Sequence, residues 1–299
     1  MNVLVMGGTR FFGIHLVESL LKQGHQVTIA TRGNTKDSFG TAVERIAVDR
    51  SNPIAMAEAF HGKFYDAVCD NIAYSSLDVK NLMEQITCGR YILTSSISVY
   101  PDLTLNLKEE DFDPLSYQLR WCTREDDTYD EIKRQAECAL FQNYSGISAA
   151  AVRFPYVIGT DDYTNRLFFY VEHILKGVPI YIDNGNSETG FIRSSEAGSF
   201  LAWLVTEKLQ GPVNAASSGT ISLNKVIDYI EYKTGKKAIL AIDGEPGPYN
   251  SEGTAFSINT EKAESNGFCF SHLETWLYDL IDFYIDQVDK LKPNHQSRT

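Results

Sequence analysis

The sequence is poor in the residues that cross-link a fold or hold a metal ion. Its five cysteines show no Cys-x-x-Cys spacing, and its six histidines are scattered along 299 residues. Closely spaced thiols and clustered histidines are the patterns typical of structural metal sites. We therefore expect no metal site and no disulfide, with reduced thiols of the kind found in the cytoplasm.

Long apolar runs and positive charge are also scarce. No stretch approaches the roughly 18 apolar residues of a membrane-spanning helix, and a strand-like run begins at residue 2 in place of a secretion signal. The 27 lysines and arginines face 39 aspartates and glutamates, a formal net charge of −12 that repels nucleic acid. We expect a soluble, cytoplasmic protein whose partner is a small-molecule substrate, with no membrane and no nucleic acid.

The first thirteen residues carry the strongest signal. An apolar run at residues 2–6 leads into residues 7–13, Gly-Gly-Thr-Arg-Phe-Phe-Gly, and a helical pattern follows at 14–22. In this order the glycines let the backbone turn tightly against a pyrophosphate, which meets the helix N-terminus. Arg10 occupies the position of the usual middle glycine. A second apolar run at residues 27–30 completes a βαβ unit, which favours this interpretation over a glycine-rich hairpin.

Strand-like and helical patterns alternate along the first half of the chain, which predicts a parallel sheet. Predicted strands cover residues 2–6, 27–30, 45–48, 67–70, 91–94 and 149–152. Predicted helices cover residues 14–22, 53–60, 77–87 and 129–144, and a long loop fills 101–128. The predicted fold class is α/β, a Rossmann doubly wound parallel sheet with a smaller C-terminal α+β substrate domain.

The domain boundary is predicted where this alternation stops. Residues 1–158 are expected to form the NAD(P)-binding Rossmann domain, and residues 159–299 mainly the substrate-binding part. Elements near residues 186–212 are expected to return to the Rossmann domain. The polar tail at 293–299 is expected to fray.

A tyrosine and a lysine four residues apart share one face of a helix. This spacing occurs three times, at Tyr129/Lys133, Tyr229/Lys233 and Tyr232/Lys236. Tyr129 alone opens the helix that follows the strand predicted at 91–94, and open α/β sheets carry active sites at the carboxyl ends of their strands. That strand runs into a hydroxyl-rich segment that contains Ser96.

These three residues are predicted to form one site. The ammonium group of Lys133 would favour the phenolate of Tyr129, which could then exchange a proton with the substrate. Ser96 would hydrogen-bond the reacting oxygen. The simpler alternative is a solvated tyrosine and lysine pair on a helix surface.

These motifs resemble the extended short-chain dehydrogenase/reductases, also called the NAD-dependent epimerase/dehydratase family. Residues 7–13 are similar to the family's cofactor loop in the version, found in atypical members, with arginine at the middle position. Residues 95–100 match its Ser-Ser-x-x-Val-Tyr strand end, and residues 129–133 match its Tyr-x-x-x-Lys motif. Residues 153–159 resemble the segment that touches the nicotinamide, and residues 191–193 stand where many members have Phe-x-His.

The resemblance implies roles for individual residues. The implied catalytic residues are Ser96, Tyr129 and Lys133. Together with the fingerprint, it predicts cofactor binding by Gly7, Thr9, Arg10, Phe11, Phe12, Gly13, Thr31, Arg32, Asp49, Asn71, Ala73, Tyr129, Lys133, Pro155 and Val157. Arg166 and Arg193 are weaker candidates for binding substrate phosphates, because surface ion pairs would explain them equally well.

The resemblance also implies a homodimer. Family members pair two helices of each subunit in a four-helix interface, which here would be the helices at 77–87 and 130–144. The apolar positions Ile132, Ala136, Ala139 and Leu140 suit such a buried stripe, although burial against the chain's own sheet would suit them too.

The chain departs from the family's pattern at several places. Arg10 replaces a glycine, Pro101 stands where glycine is usual, and the interval from Ser96 to Tyr129 is longer than typical. Residues 96–98 also lack the Thr-Asp-Glu triplet of the sugar-nucleotide 4,6-dehydratases. A dehydratase is therefore disfavoured, because its chemistry needs those carboxylates.

The end of the second predicted strand bears on the choice of dinucleotide. NAD-specific folds place Asp or Glu there to bind the ribose 2′-hydroxyl, whereas this chain has Thr31 followed by Arg32. Guanidinium groups of Arg10 and Arg32 could bind a 2′-phosphate, which a carboxylate would repel. We predict NADP(H), with NAD(H) as the alternative if Arg32 only begins an exposed loop.

Together these observations predict an NAD(P)(H)-dependent oxidoreductase or epimerase. It would act on a hydroxyl or carbonyl carbon of a nucleotide-sugar-like or other polar substrate. The alternative is a non-catalytic dinucleotide-binding protein of the same fold, with a regulatory or RNA-associated role.

Overall fold

The computed structural model of the protein describes residues 1–249 and 255–291, so the predicted fraying of residues 293–299 lies outside the described residues. Its strands are β1 (Asn2–Met6), β2 (Gln26–Thr31), β3 (Val43–Ala47), β4 (Lys63–Asp70), β5 (Ile86–Ser96), β6 (Ser148–Phe154), β7 (Tyr156–Ile158), β8 (Ile180–Tyr181), β9 (Glu188–Thr189), β10 (Phe191–Arg193), β11 (Gly211–Asn214), β12 (Ile221–Ser222) and β13 (Glu245–Pro246).

The helices alternate with these strands. They are α1 (Phe12–Lys22), α2 (Pro53–Phe60), α3 (Ser76–Met83), α4 (Tyr129–Cys138), α5 (Arg166–Lys176), α6 (Ser194–Leu204), α7 (Leu223–Thr234), α8 (Glu261–Glu264) and α9 (Leu277–Leu291). A π-helical turn, Ala139–Asn143, continues α4.

A parallel sheet of order β11-β6-β5-β4-β1-β2-β3 lies at the centre of the described residues. Strand β1 shows why both faces of the sheet are covered. Val3 and Val5 join the core formed with α1 and α6, whereas Leu4 and Met6 join the core formed with α2, α3 and α4. All four side chains are at most 1% exposed, as expected for a strand between two helix layers. The predicted fold class is confirmed.

The C-terminal residues contribute to two regions. Strand β11 pairs with β6 at one edge of the central sheet, and α6 packs beside α1. The remaining helices α5, α7 and α9 surround a separate core with short strand pairs β7–β10, β9–β12 and β8–β13. Apolar residues of α5 and α9, such as Val171 and Ile281, are fully buried in it.

Strand β5 begins at Ile86, five residues before the predicted start at Tyr91, and α3 ends at Met83. The sequence did not predict the first five residues of β5, because Gly89 and Arg90 interrupt the apolar pattern. Arg90 is nevertheless buried, and its guanidinium donates to the Leu204 carbonyl and to Ser148 Oγ at 2.8 and 2.7 Å. A charged residue can therefore extend a central strand when neighbouring elements, here α6 and β6, supply its acceptors.

Residues 113–128, which we call the strap, belong to the long loop predicted from the sequence. The strap lies across α3 and α4. Ser76 Oγ on α3 donates to the Arg120 carbonyl and accepts from the Cys122 amide, both at 2.8 Å. Gln135 Oε1 on α4 accepts from the Arg120 amide at 2.6 Å. This segment therefore covers the pair of helices that the resemblance assigned to a dimer interface.

The apolar stripe proposed for that interface also lies inside the chain. Ala136, Ala139 and Leu140 are completely buried in the core between α4 and the sheet, and Ile132 is 4% exposed. The expectation that these residues form a homodimer contact is corrected. Their apolar character is explained by packing within one subunit.

Among the described residues, no helix is long and apolar enough to cross a membrane. Within the same residues, no group of three or more His, Cys, Asp and Glu side chains is arranged to hold a metal ion.

Candidate dinucleotide-binding and active site

The turn between β1 and α1 has the geometry expected of a phosphate-binding loop. Gly7 and Gly8 adopt φ of +93° and +106°, which side chains rarely tolerate. A Cβ at Gly13 would lie 2.9 Å from Gly8 Cα, so the helix approaches the turn closely. Phe11, at φ +54°, precedes α1. The loop thus places the start of α1 beside the cleft described next.

A cleft of about 590 Å³ opens above this loop. Ten predicted cofactor residues line it, namely Gly7, Thr9, Arg10, Phe11, Phe12, Gly13, Thr31, Arg32, Asp49 and Asn71. The sequence prediction missed other lining residues, including Asn34, Thr35, Arg50, Tyr74, Arg124 and Tyr163. Of the five other predicted residues, Ala73, Lys133, Pro155 and Val157 are buried and Tyr129 is exposed.

One buried polar atom beside the glycine loop tests whether this cleft fits a dinucleotide. Asn71 Oδ1 accepts from Thr94 Oγ1 at 3.0 Å, but Asn71 Nδ2 is buried without a protein partner. Nδ2 lies 4.0 Å from the point that a Cβ on Gly7 would occupy. A ribose or phosphate oxygen over the glycine loop would accept from it. The residues present therefore fit the group that the sequence predicts.

The cleft continues past the end of β2 into an adjoining cavity of about 420 Å³. Thr31 and Thr35 border both spaces, and Lys36 and Arg45 line the second. Arg10 Nε donates to Thr35 Oγ1 at 3.0 Å, which holds this guanidinium near the end of β2. Arg45 is already paired with Asp37. The adjoining cavity thus offers room and positive charge beyond the position of a ribose.

A buried ion network supports the floor of the cleft. The Arg50 guanidinium, 5% exposed, donates to both carboxylate oxygens of Asp70 at 2.6 and 3.0 Å and lies 3.2 Å from Asp78. Tyr91 Oη donates to Asp70 at 2.6 Å. Burial alone would raise the pKa of Asp70, but Arg50 and these hydrogen bonds lower it. No sequence spacing indicated that these residues meet, since they come from the loop after β3 and from β4, α3 and β5.

Ser96 and Tyr129 meet at the carboxyl end of β5. Tyr129 is the first residue of α4, with 49% of its surface exposed, and its phenol is close enough to Ser96 to be influenced by it. Burial is the largest influence on the Tyr129 pKa and raises it, while the interaction with Ser96 and the positive charge of Arg166 act in the opposite direction. The phenol is consequently protonated at neutral pH, with an open side from which a substrate can approach.

Lys133 lies one helical turn behind Tyr129 and is 3% exposed. Its Nζ donates to the carbonyls of Ala73 and Thr94, both at 2.9 Å, and lies 6.0 Å from the centroid of the Tyr129 ring. Burial lowers the pKa of Lys133 to about 8, although Asp70 and Asp78 act in the opposite direction. Ser96 and Arg166 also act to lower the pKa of Tyr129, which the sequence did not predict for Arg166.

The two arginines predicted to bind substrate lie in different settings. Arg166, the first residue of α5, places its guanidinium 5.2 Å from the ring centroid of Tyr156 and 5.7 Å from that of Tyr249. It is also close enough to Tyr129 to influence its pKa. Arg193 is exposed at the end of β10, opposite Ile158 in register. The electrostatic contact with the phenol therefore singles out Arg166 as the better candidate.

Comparison with known proteins agrees with this geometry. Residues 3–82 match the model of the NAD dependent epimerase/dehydratase family. The chloroplast stem-loop binding protein of 41 kDa b from Arabidopsis thaliana is 25% identical over 226 residues, which are 69% of this chain and 56% of that protein. UDP-glucuronic acid decarboxylase 1 from Danio rerio is 23% identical over 71% of this chain and 56% of its own length. The chain thus spans little more than half the length of these relatives.

One solved structure matches nearly the whole chain. MoeE5, in complex with UDP-glucuronic acid and NAD, has a TM-score of 0.74 at 19% identity and covers 97% of this chain and 99% of its own. The fold is therefore shared from end to end, although the sequences have diverged. The family match over residues 3–82 and this shared fold confirm that the chain resembles the extended short-chain dehydrogenase/reductases of the NAD dependent epimerase/dehydratase family.

Proposed function

We propose that this protein is an NADP(H)-dependent oxidoreductase or epimerase that acts on a hydroxyl or carbonyl carbon of a nucleotide-sugar-like substrate. The observation that carries the proposal is that Ser96 and Tyr129 come together at the carboxyl end of β5, with Lys133 Nζ 6.0 Å from the centroid of the Tyr129 ring. A glycine loop and its cleft follow β1 of the same sheet. Proton transfer and dinucleotide binding are thus supported at one edge of the sheet.

Each of these side chains would have its own chemical role. Tyr129 Oη exchanges a proton with the oxygen of the reacting carbon, and Ser96 Oγ holds that oxygen in place. A bound dinucleotide would accept or supply the hydride. Lys133 Nζ would bind the nicotinamide ribose, for which it must turn from the carbonyls that it now contacts. The same steps serve a net oxidation or, if the hydride returns to the opposite face of the carbonyl carbon, an epimerisation.

The substrate class is supported by the relatives and by Arg166. MoeE5 binds UDP-glucuronic acid, and the Danio rerio relative is named for UDP-glucuronic acid. Arg166 would bring a cation to the reacting end of such an anionic substrate. We propose that Arg166 binds a phosphate or carboxylate of the substrate, with Arg193 as a more distant contributor.

The choice of NADP(H) is argued from the cleft itself, because MoeE5 is described with NAD. Thr31 replaces the carboxylate that would bind a ribose 2′-hydroxyl, and Arg10 and Arg32 line the same cleft. The adjoining cavity at the end of β2 would accommodate a 2′-phosphate. NAD(H) remains the alternative cofactor.

The substitution Arg32→Asp tests this choice. It should weaken NADPH binding at least about tenfold relative to NADH, because a charge-assisted hydrogen bond is worth about 1.5–3 kcal/mol and the new carboxylate repels the phosphate. Titration of both dinucleotides into both proteins measures the effect. Lys208→Asp is the matched control, since Lys208 is an exposed residue between α6 and β11, at the opposite edge of the sheet.

Equal losses for the two dinucleotides would assign Arg32 a structural role. A wild-type protein that prefers NADH would overturn the choice of NADP(H). Failure of the wild type to bind either dinucleotide would overturn the proposed function.

A second candidate function is a non-catalytic, RNA-associated role. It is favoured by one observation, the match to a relative named as a stem-loop binding protein over 69% of this chain. The net charge of −12 opposes it. Turnover that depends on Tyr129 would decide between the two.

A further inference from the structure

The strap ends at the dinucleotide cleft. Arg124 and Glu125 line this cleft together with the glycine loop, although they follow β5 in the chain rather than β1. The strap is also tied to the catalytic helix α4 by Gln135, which accepts from the Arg120 amide at 2.6 Å and donates to the Gln118 carbonyl at 3.1 Å. One segment therefore contacts both the cleft and the helix that carries Tyr129.

Arg124 is positioned by three contacts. Its Nη2 donates to the Ile72 carbonyl at 2.6 Å, and its Nε donates to Asp78 Oδ2 at 3.1 Å. The guanidinium carbon lies 4.2 Å from the centroid of the Tyr74 ring. The side chain is still 38% exposed, which leaves part of the guanidinium available to a ligand. A planar cation held in this way can stack on a second aromatic surface.

The position of Arg124 indicates which half of the dinucleotide it would meet. Val48, Asp49 and Ser51, at the end of β3, line the same cleft. Hydrogen bonds from Ser51 are the main reason that the pKa of Asp49 is lowered, and the charges of Arg32 and Arg124 both add to the effect. Arg124 thus lies near the ends of β2 and β3, where this fold binds the adenosine half of a dinucleotide.

Tyr74 connects Arg124 with the proposed catalytic residues. The Tyr74 ring has the Arg124 guanidinium at 4.2 Å and the Lys133 ammonium at 4.6 Å from its centroid. The ring of Tyr129 lies 6.1 Å away in an edge-on arrangement. A shift of Arg124 would therefore reach Lys133 and Tyr129 through a single ring.

We propose that the strap is a lid over the adenosine half of the cleft, with Arg124 as the residue that contacts the adenosine diphosphate portion of the dinucleotide. Binding at this end holds the strap against α3 and α4 and thereby fixes the catalytic helix. This inference deepens the proposed function and depends on its claim that the cleft binds a dinucleotide.

The test uses the halves of the cofactor as separate probes. ADP and nicotinamide mononucleotide are titrated into the wild type and into Arg124→Ala and Arg120→Ala variants. Arg124→Ala should weaken ADP at least about tenfold, as expected for loss of a charged and stacked contact, and change nicotinamide mononucleotide by less than about twofold. Arg120 lies on the same strap but pairs with Asp127, so Arg120→Ala should change neither affinity by more than about twofold.

Limited trypsin digestion provides an independent readout of the lid. Arg120 is half exposed on the strap, and cleavage after it reports when the strap lifts. ADP should slow this cleavage at least about fivefold in the wild type and have little effect in Arg124→Ala. If Arg124→Ala proves unstable, Arg124→Lys carries the same test, because it keeps the charge near Asp78 and loses the planar stacking surface.

The possible outcomes distinguish a failure of this inference from a failure of the proposed function. A wild type that binds dinucleotide and an Arg124→Ala variant that binds ADP equally well would overturn the lid and leave the proposed function intact. A wild type that binds neither NADPH nor NADH would overturn both. Equal weakening of ADP and nicotinamide mononucleotide in a folded Arg124→Lys variant would also overturn the lid, because the effect of Arg124 would then not be confined to the adenosine half.

Discussion

Replacing Tyr129 by phenylalanine is expected to lower turnover by about 10²- to 10⁴-fold, the usual contribution of a general acid or base. The phenol is the part of Tyr129 that interacts with Ser96. Because burial raises the pKa of Tyr129, the phenol is protonated at neutral pH. Phenylalanine keeps the ring that packs edge-on against Tyr74. Dinucleotide affinity should therefore stay within about threefold of the wild type. Steady-state turnover and dinucleotide titration measure the two effects.

Tyr117→Phe is the matched control for this substitution. Tyr117 also presents a partly exposed phenol near α4, but its Oη donates to Glu131 at 2.8 Å instead of meeting Ser96. Loss of the Tyr117 hydroxyl should leave turnover within about twofold of the wild type, because only an exposed hydrogen bond is removed. Full activity in Tyr129→Phe with loss in Tyr117→Phe would move the catalytic role to Tyr117.

The second large effect concerns stability. Glu137→Ala should lower the free energy of unfolding by about 3–5 kcal/mol, the usual cost of leaving one member of a buried ion pair alone. Arg153 and Glu137 are both fully buried and paired at 2.7 Å. Burial alone would lower the pKa of Arg153, and the Glu137 carboxylate more than offsets this. Ser95 Oγ, which donates to Glu137 at 2.5 Å, would lose its acceptor as well.

Urea unfolding of Glu137→Ala and of Glu84→Ala measures this contribution. Glu84 also pairs with a cation, Lys80, at 3.7 Å, but its side chain is 52% exposed. The control should cost no more than about 1 kcal/mol, because water already solvates both charges. A Glu137→Ala protein as stable as the control would show that solvent reaches Arg153.

The central fold could be predicted because its signals are local. The glycine loop and the apolar run before it specify strand, turn and helix within thirteen residues, and β1 and α1 occur where they were expected. Ser96 and Tyr129 could be paired because both follow from one strand end and the helix after it. The element ends were less certain, as the early start of β5 shows.

Contacts between distant segments could not be predicted in the same way. Arg50 contacts Asp70 and Asp78 because the loop after β3 lies against β4 and α3, and no periodicity in the sequence predicts this contact. The position of the strap was also hidden, since its residues lack helical or strand periodicity. The stripe on α4 was ambiguous for a related reason, because an apolar helix face looks alike whether a sheet or a partner covers it.

The pKa values of the site residues depend on burial, which cannot be read from the sequence. Lys133 was expected to lower the pKa of Tyr129 from four residues away. In the structure Lys133 donates to two backbone carbonyls, and Arg166 from the C-terminal part adds a positive charge near the phenol. The membership of the site therefore stays a prediction from residue types and spacing, and the structure adds the distances between those residues.

The measurement that tests the central claim most directly is hydride transfer within the wild-type protein. The protein is loaded with NADP⁺, mixed with UDP-glucose or UDP-glucuronic acid in a stopped-flow instrument, and the absorbance of reduced nicotinamide is followed through a single turnover. We predict a rise in this absorbance with at least one of the two substrates, lasting if the reaction is a net oxidation and transient if it is an epimerisation, and its loss in Tyr129→Phe. Bound NADP⁺ that stays oxidised with both substrates, or a rise that persists in Tyr129→Phe, would contradict the account.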